Sequence, residues 1–162
     1  MERTISGMMG KGSVNHNTRA FSAKNVDKER SRDNVEFCHK DIKAVYHELF
    51  DEALERYNAK QKRSDRKIEN YYEKIRQGKQ EKLFHEVIFQ IGNKDDMNVR
   101  SEEGQLAKQI LIDFMTDFQS RNPNLHVFSA HLHMDEETPH IHIDFVPVSY
   151  THLRAHETEL HL

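Results

Sequence analysis

The sequence predicts an α+β domain in which an antiparallel β-sheet is covered by helices. Three observations predict it. Residues 39–57 carry one continuous apolar stripe at helical spacing, and residues 102–120 carry a second. Strand-like runs lie before, between and after the two stripes. The last two runs, 125–134 and 140–146, are joined by Asp135 to Pro139 alone, short enough for a hairpin-like connection.

Residues 1–38 mix Gly, Ser, Asn and Arg with few apolar positions, the exceptions being Val14, Phe21, Val26, Val35 and Phe37. They read as short strands and loops. In the first helix, Ile42, Val45, Tyr46, Leu49, Phe50, Ala53, Leu54 and Tyr57 recur every three or four residues. The pattern is expected to run on through the basic stretch 58–77 and to end near Gly78, with the stripe thinning to Ile68, Tyr71 or Tyr72, and Ile75. Phe84 to Ile91 reads as a strand and Gly92 to Asp96 as a loop. The second helix places Leu106, Ile110, Leu111, Phe114, Met115 and Phe118 on one side, and Arg121-Asn122-Pro123-Asn124 ends it. Strict alternation on the next strand puts Leu125, Val127, Ser129, His131 and His133 on one face. His126, Phe128, Ala130, Leu132 and Met134 take the other. On the last strand His140 and His142 share a face, opposite Ile141, Ile143 and Phe145.

The 162 residues suffice for one domain with a modest core. At 36% hydrophobic and 31% charged the chain reads as soluble, and no apolar run approaches the ~20 residues of a membrane-spanning helix. Met1 to Gly12 lacks the apolar core of a secretory signal. A single cysteine, Cys38, excludes an internal disulfide and suits a reducing cytoplasm; it reads as a small half-buried residue. The net charge of −3 is uneven. Residues 1–82 hold 19 Lys/Arg against 14 Asp/Glu, and the remainder 5 against 13. A basic front half beside an acidic back half is compatible with a polyanion partner and a cation site.

The chemistry concentrates in His133-Met134-Asp135-Glu136-Glu137-Thr138-Pro139-His140-Ile141-His142. Two histidines from one strand and a third from its neighbour can occupy one hemisphere of a divalent metal and leave the other open to substrate. Asp135 and Glu136 can orient an imidazole or accept a proton. At the other end stands Asn15-His16-Asn17-Thr18-Arg19. His16 can serve as base, ligand or nucleophile, and Arg19 can hold a phosphate. Asn25-Val26-Asp27 and Arg30-Ser31 add donors suited to phosphate and base edges. The pair Tyr71-Tyr72 suggests a tyrosine nucleophile, but its spacing with Ile68 and Ile75 favours packing. No Gly-rich phosphate loop, Ser-His-Asp order or Cys-x-x-Cys pair is present.

Together the two ends resemble the Pre/Mob plasmid mobilisation proteins, the MobV relaxases of the HUH class. The resemblance lies in His16-Asn17-Thr18-Arg19 with Asn25-Val26-Asp27 and Arg30-Ser31, and in His133-x-Asp135-Glu136-x-x-Pro139-His140-x-His142. It spans nearly all of residues 10–147. It implies a bacterial, cytoplasmic enzyme with an HUH-like fold, acting on single-stranded or supercoiled plasmid DNA at an origin of transfer. Such an enzyme nicks one strand and stays joined to the 5′ phosphate. The nucleophile falls on His16, with Arg19 and Glu136 in support. The metal ligands, for Mn2+ or Mg2+, fall on His133, His140 and His142, and DNA contacts on Asn17, Asn25, Arg30 and Ser31. The basic stretch 56–82, with 10 Lys/Arg, can track the DNA backbone. Two other readings stand beside this one: a rolling-circle replication initiator attacking through Tyr71 or Tyr72, and a non-catalytic DNA- or metal-binding protein.

The resemblance also implies a truncated chain, since family members continue past the metal strand with segments for DNA contact and dimerisation. A catalytic domain is expected over residues 1–148. The tail 149–162 differs in character, and Ser149–Thr158 resembles adaptor read-through at the end of an assembled reading frame. His152, His156 and His161 accordingly receive no role.

Overall fold

The computed structural model describes residues 3–148, so the tail set apart above lies outside the described residues. The predicted α+β class holds. Five strands form one antiparallel sheet in the order β1-β3-β5-β4-β2: β1 (Ile5–Met9), β2 (Val35–His39), β3 (His85–Ile91), β4 (Leu125–His133) and β5 (His140–Pro147). The strands carrying the histidine triad are neighbours, with β5 at the centre of the sheet and β4 beside it. Five α-helices accompany them: α1 (Val14–Asn17), α2 (Ile42–Lys60), α3 (Tyr71–Gln77), α4 (Glu102–Thr116) and α5 (Phe118–Arg121). No helix among the described residues is long and apolar enough to cross a membrane.

Each sheet face has its own core. On one, Ala130, Leu132, Ile141 and Ile143, all fully buried, pack with Ala107, Leu111 and Met115 of α4 and Phe118 of α5. On the other, Phe128, Val146 and Val148 pack with Val45, Tyr46, Phe50 and Ala53 of α2 and Tyr71 and Ile75 of α3. The rest of this second face is left to the histidines and to α1.

Four details depart from the sequence expectation. The helix predicted to reach Gly78 stops at Lys60. Residues 58–67 offer no large apolar side chain to bury, and Asn58 closes the break by bonding both the N–H (2.9 Å) and the carbonyl (2.7 Å) of Ile68. A separate helix, α3, restarts with Asn70 accepting from Glu73 N. The second predicted helix is broken at Asp117, whose ψ of 9° leaves the α-helical region. Its buried stripe is Ala107, Leu111 and Met115, while Leu106 (58%) and Ile110 (38%) are exposed.

On β4 the alternation slips. A bulge between Val127 and Ser129 inserts Phe128 into the ladder with β5. Leu125 and Val127 therefore join Ala130, Leu132 and Met134 against α4, while Phe128 joins the face of Ser129, His131 and His133. One extra residue exchanges the faces of everything before it.

Candidate metal centre and active site

Strand register sets the site out as a grid. His140 of β5 stands between Gln90 of β3 and His133 of β4; His142 stands between Ile88 and His131; Asp144 stands between Glu86 and Ser129. Alternation turns all of these to one face, and the apolar residues between them to the other. The imidazoles of His133, His140 and His142 converge, with ring centroids 4.8–5.3 Å apart.

Each ring is oriented through one nitrogen. His133 Nε2 donates to the Asn17 carbonyl at 2.8 Å, and His140 Nδ1 donates to the Thr138 carbonyl at 2.7 Å. His142 Nδ1 lies 3.2 Å from Glu86 Oε2. Carbonyl partners are acceptors, so they fix the tautomer and leave the opposite nitrogen as a lone pair. His133 Nδ1 and both nitrogens of His142 are buried with no hydrogen-bond partner, although His142 Nδ1 faces the Glu86 carboxylate. Orphaned imidazole nitrogens whose other nitrogen is tied to an oxygen are the arrangement of metal-binding histidines. Ligand atoms come within 4.8 Å of one another in two overlapping sets, His16 with His133 and His142, and His133 with Glu136 and His140. Burial pushes the His133 imidazole down to about 2 and lowers that of His140, aided by the neighbouring His142, so both are neutral and competent to ligate. The residues present fit a divalent metal.

The fourth histidine is brought in by α1, a single turn that sequence periodicity is too short to reveal. Ser13 caps it, accepting from His16 N. His16 faces the triad, its ring 5.9 Å from that of His133 and 5.8 Å from that of His142. Its Nε2 lies 3.3 Å from Arg19 Nη1 and 3.5 Å from Glu136 Oε1. A guanidinium can only donate, so it meets the lone pair of a neutral ring. Burial, then the Arg19 charge, lowers the His16 pKa.

Arg19 itself has a left-handed backbone, φ 61°, which folds it back over α1. Such a residue costs about 1–3 kcal/mol and persists only where neighbours hold it. Asp135 supplies the hold. Fully buried, it receives Arg19 Nε (2.9 Å) and Nη2, Ser31 Oγ (2.7 Å) and Asn34 Nδ2 (2.7 Å). Burial alone would raise its pKa, but these bonds outweigh it and the carboxyl is held well below the usual range. Asp135 thus orients Arg19, not an imidazole, and the Arg19 fork that suggested phosphate binding is already engaged. Glu136 instead sits at the centre, touching Arg19, Asn25 and His16, with His140 Nε2 3.9 Å away.

Two carboxyls escaped the sequence reading. Glu86 and Asp144 lie side by side beneath His142, and buried Asn17 donates to both. Burial and the adjacent Glu86 push Asp144 up to about 8. Burial acts upward on Glu86 too, but His142 and Asn17 draw it down to about 2. The two carboxyls are thus pushed in opposite directions, Asp144 toward its protonated form and Glu86 toward its ionised form. Asp144 continued the His140, His142 period, and Glu86 was a lone carboxylate in an apolar strand; both signals were present in the sequence.

Of the four residues singled out for DNA contact, Asn25 borders the open groove above the histidines. Asn17 is 2% exposed, Ser31 is turned to Asp135, and Arg30 pairs with Asp27 at 2.8 Å. Tyr71 and Tyr72 belong to the aromatic cluster under α2, with Tyr71 5.0 Å from Phe50 and Tyr72 5.4 Å from Tyr46 between centroids. Neither borders the histidine groove. Burial raises the pKa of the Cys38 thiol, against a nucleophilic role.

Fold and site define a class: an antiparallel sheet whose central strand and its neighbour present three metal-competent histidines to a fourth on a short helix. The chain belongs to the Mob_Pre family of plasmid recombination enzymes, which matches residues 9–160. Two solved structures share its fold. Both are the MobM relaxase domain (MOBV; Mob_Pre), Mn-bound and in complex with plasmid pMV158 oriT DNA of 22 nucleotides. The structure at pH 5.5 is 23% identical with a TM-score of 0.55, covering 90% of this chain and 71% of that one. The structure at pH 4.6 is 24% identical with a TM-score of 0.51, covering 90% and 72%. Among curated proteins none matches.

Proposed function

We propose that the chain is the catalytic domain of a plasmid mobilisation relaxase. In this reading it nicks one DNA strand at an origin of transfer, in the bacterial cytoplasm, through a covalent histidine adduct. The observation that carries the reading is the set of three converging imidazoles, two tied by one nitrogen to a backbone carbonyl and the third lying against Glu86, beside a neutral His16. His133, His140 and His142 would hold Mn2+ or Mg2+, and Glu136 would support them. A divalent cation there would neutralise charge on the scissile phosphate's oxygens.

His16 acts as the nucleophile. Its Nε2 lone pair, once released by Arg19 Nη1, forms the P–N bond as the bond from phosphorus to the 3′ oxygen breaks, and the released 3′ oxygen takes a proton from water. No base is needed, because the ring is already neutral. Arg19 keeps it so and fixes its direction, and attack of a 3′ hydroxyl on the P–N bond reverses the step. The exposed Lys62, Arg63, Arg66 and Lys67 after α2 suit backbone contacts that add affinity without choosing sequence.

The test mixes the protein or His16→Ala with Mn2+ and single-stranded DNA from upstream of its reading frame, and resolves adducts on denaturing gels. A Mn2+-dependent adduct lost in the variant is expected. An adduct that survives His16→Ala would assign the nucleophile elsewhere.

A further inference from the structure

The groove that opens onto the histidines extends past them toward the β1 edge of the sheet. Its volume is about 500 Å3, within the range of ligand sites, about 300–1,000 Å3. The part beyond the metal centre is formed by Met8, Ile88, Gln90, Asn25 and Glu137. Met8 and Ile88 are cross-strand partners and make an apolar floor, on which Met8 stays 51% exposed.

The rim is made of acceptors. Gln90 Nε2 donates to the Gly92 carbonyl at 3.0 Å, and Asn25 Nδ2 donates to Glu136 Oε2 at 3.1 Å. Those bonds fix both amides, and their oxygens accept nothing from the described residues. Glu136 and Glu137 add carboxylates, and among the described residues no Lys or Arg lines the groove. Such a wall repels phosphate. It suits a flat, uncharged ring that carries hydrogen-bond donors at its edge.

We propose that this outer groove is a subsite for one unpaired nucleobase next to the scissile phosphate, and that it prefers bases with an exocyclic amino group to thymine. The proposal rests on the DNA-nicking reading of the adjoining histidines. Adenine and cytosine present an amino group to a wall of acceptors, whereas thymine presents carbonyl oxygens and a single N–H. The polarisable thioether of Met8 suits the ring face. The basic surface after α2 is indifferent to base identity, so a base preference isolates the groove.

Fluorescence anisotropy with labelled single-stranded oligo-dA, oligo-dC and oligo-dT provides the test. Wild-type protein should bind oligo-dA and oligo-dC about fivefold more tightly than oligo-dT, the scale of one net hydrogen bond. Gln90→Leu should bring that ratio close to one, Gln90→Glu should keep it, and Met8→Ala should weaken all three alike. Equal binding by wild type, or an unchanged ratio in Gln90→Leu, overturns the proposal. A protein that forms no adduct with origin DNA yet shows the Gln90-dependent ratio keeps the subsite and removes the nicking reading. Adduct formation with no ratio does the reverse.

Discussion

The two faces of the β4–β5 pair are buried to a similar degree and filled in opposite ways. Toward α4, Ala130, Leu132, Ile141 and Ile143 are fully buried and need nothing but contact. Toward α1, His131, His133, His140, His142 and Asp144 are 0–9% exposed, and every nitrogen and oxygen among them needs a partner. Burying apolar area is favourable by roughly 25 cal/mol per Å2, whereas a buried polar atom without a hydrogen bond costs about 1–3 kcal/mol. The apolar contacts, toward α4 and beneath α2 alike, therefore hold the domain together, and the histidine patch is a site that they must carry. The difference teaches where to look for function in this sheet: in the orphaned nitrogens, not in the tightest packing.

The comparison is broken most severely at Asp135. Asp135→Ala leaves Arg19, Ser31 and Asn34 without their common acceptor and should cost about 3–5 kcal/mol in denaturant unfolding, with loss of the His16 adduct. If stability is unchanged, Asp135 is not the pin that holds α1 to the sheet. Next is Leu111→Ala on the opposite face, expected to cost about 2–5 kcal/mol through the cavity it leaves. Mn2+ affinity of the folded variant, measured calorimetrically, should match wild type; a drop would mean the faces are not separable. Glu86→Gln reverses the pattern. The melting temperature should barely move, while Mn2+ binding weakens about 10–100-fold because His142 loses its carboxylate partner. Unaltered affinity would free Glu86 of any role in orienting the ring.

The smallest effect is one of pH. His133 and His140 have lowered pKa values, so in the metal-free protein their contribution is complete above the unfolded value of about 6.5 and is lost as pH falls below it. Asp144 runs the other way. Its contribution is complete below its unfolded value, about 3.9, and is lost as pH rises through about 8. Asp144→Asn should thus gain melting temperature relative to wild type between about pH 5 and pH 8. A constant difference across that interval would mean that Asp144 carries no proton in the folded state.

Much of the polar face was legible because its message is local. His140, His142 and Asp144 alternate on an unbroken strand, and α2 shows its stripe of Val45, Tyr46, Phe50 and Ala53 in any helical projection. Legibility stopped where tertiary contact overrides period. Nothing near Phe128 announces a bulge, so the faces of Leu125 and Val127 were inverted. Leu106 and Ile110 have the right spacing for burial, but Ala107, which the stripe leaves out, is the one that meets the sheet beside Leu111. The roles of Asn17 and Asn34 depend on partners 69 to 127 positions away in the chain and have no local signature.

The bulge at Phe128 also constrains how the gene can drift. A substitution there alters one side chain beneath α2, but losing a single codon between 129 and 133 would reverse, relative to His133, the orientation of every earlier residue of the strand, Leu125 and Val127 included. The Gly92–Asp96 connection carries no such penalty, since its length does not decide which way any strand residue points. Relatives of this chain should therefore vary in length at the turn after β3 and stay uniform from residue 125 to His133, an arithmetic regularity that persists even where the letters themselves have changed.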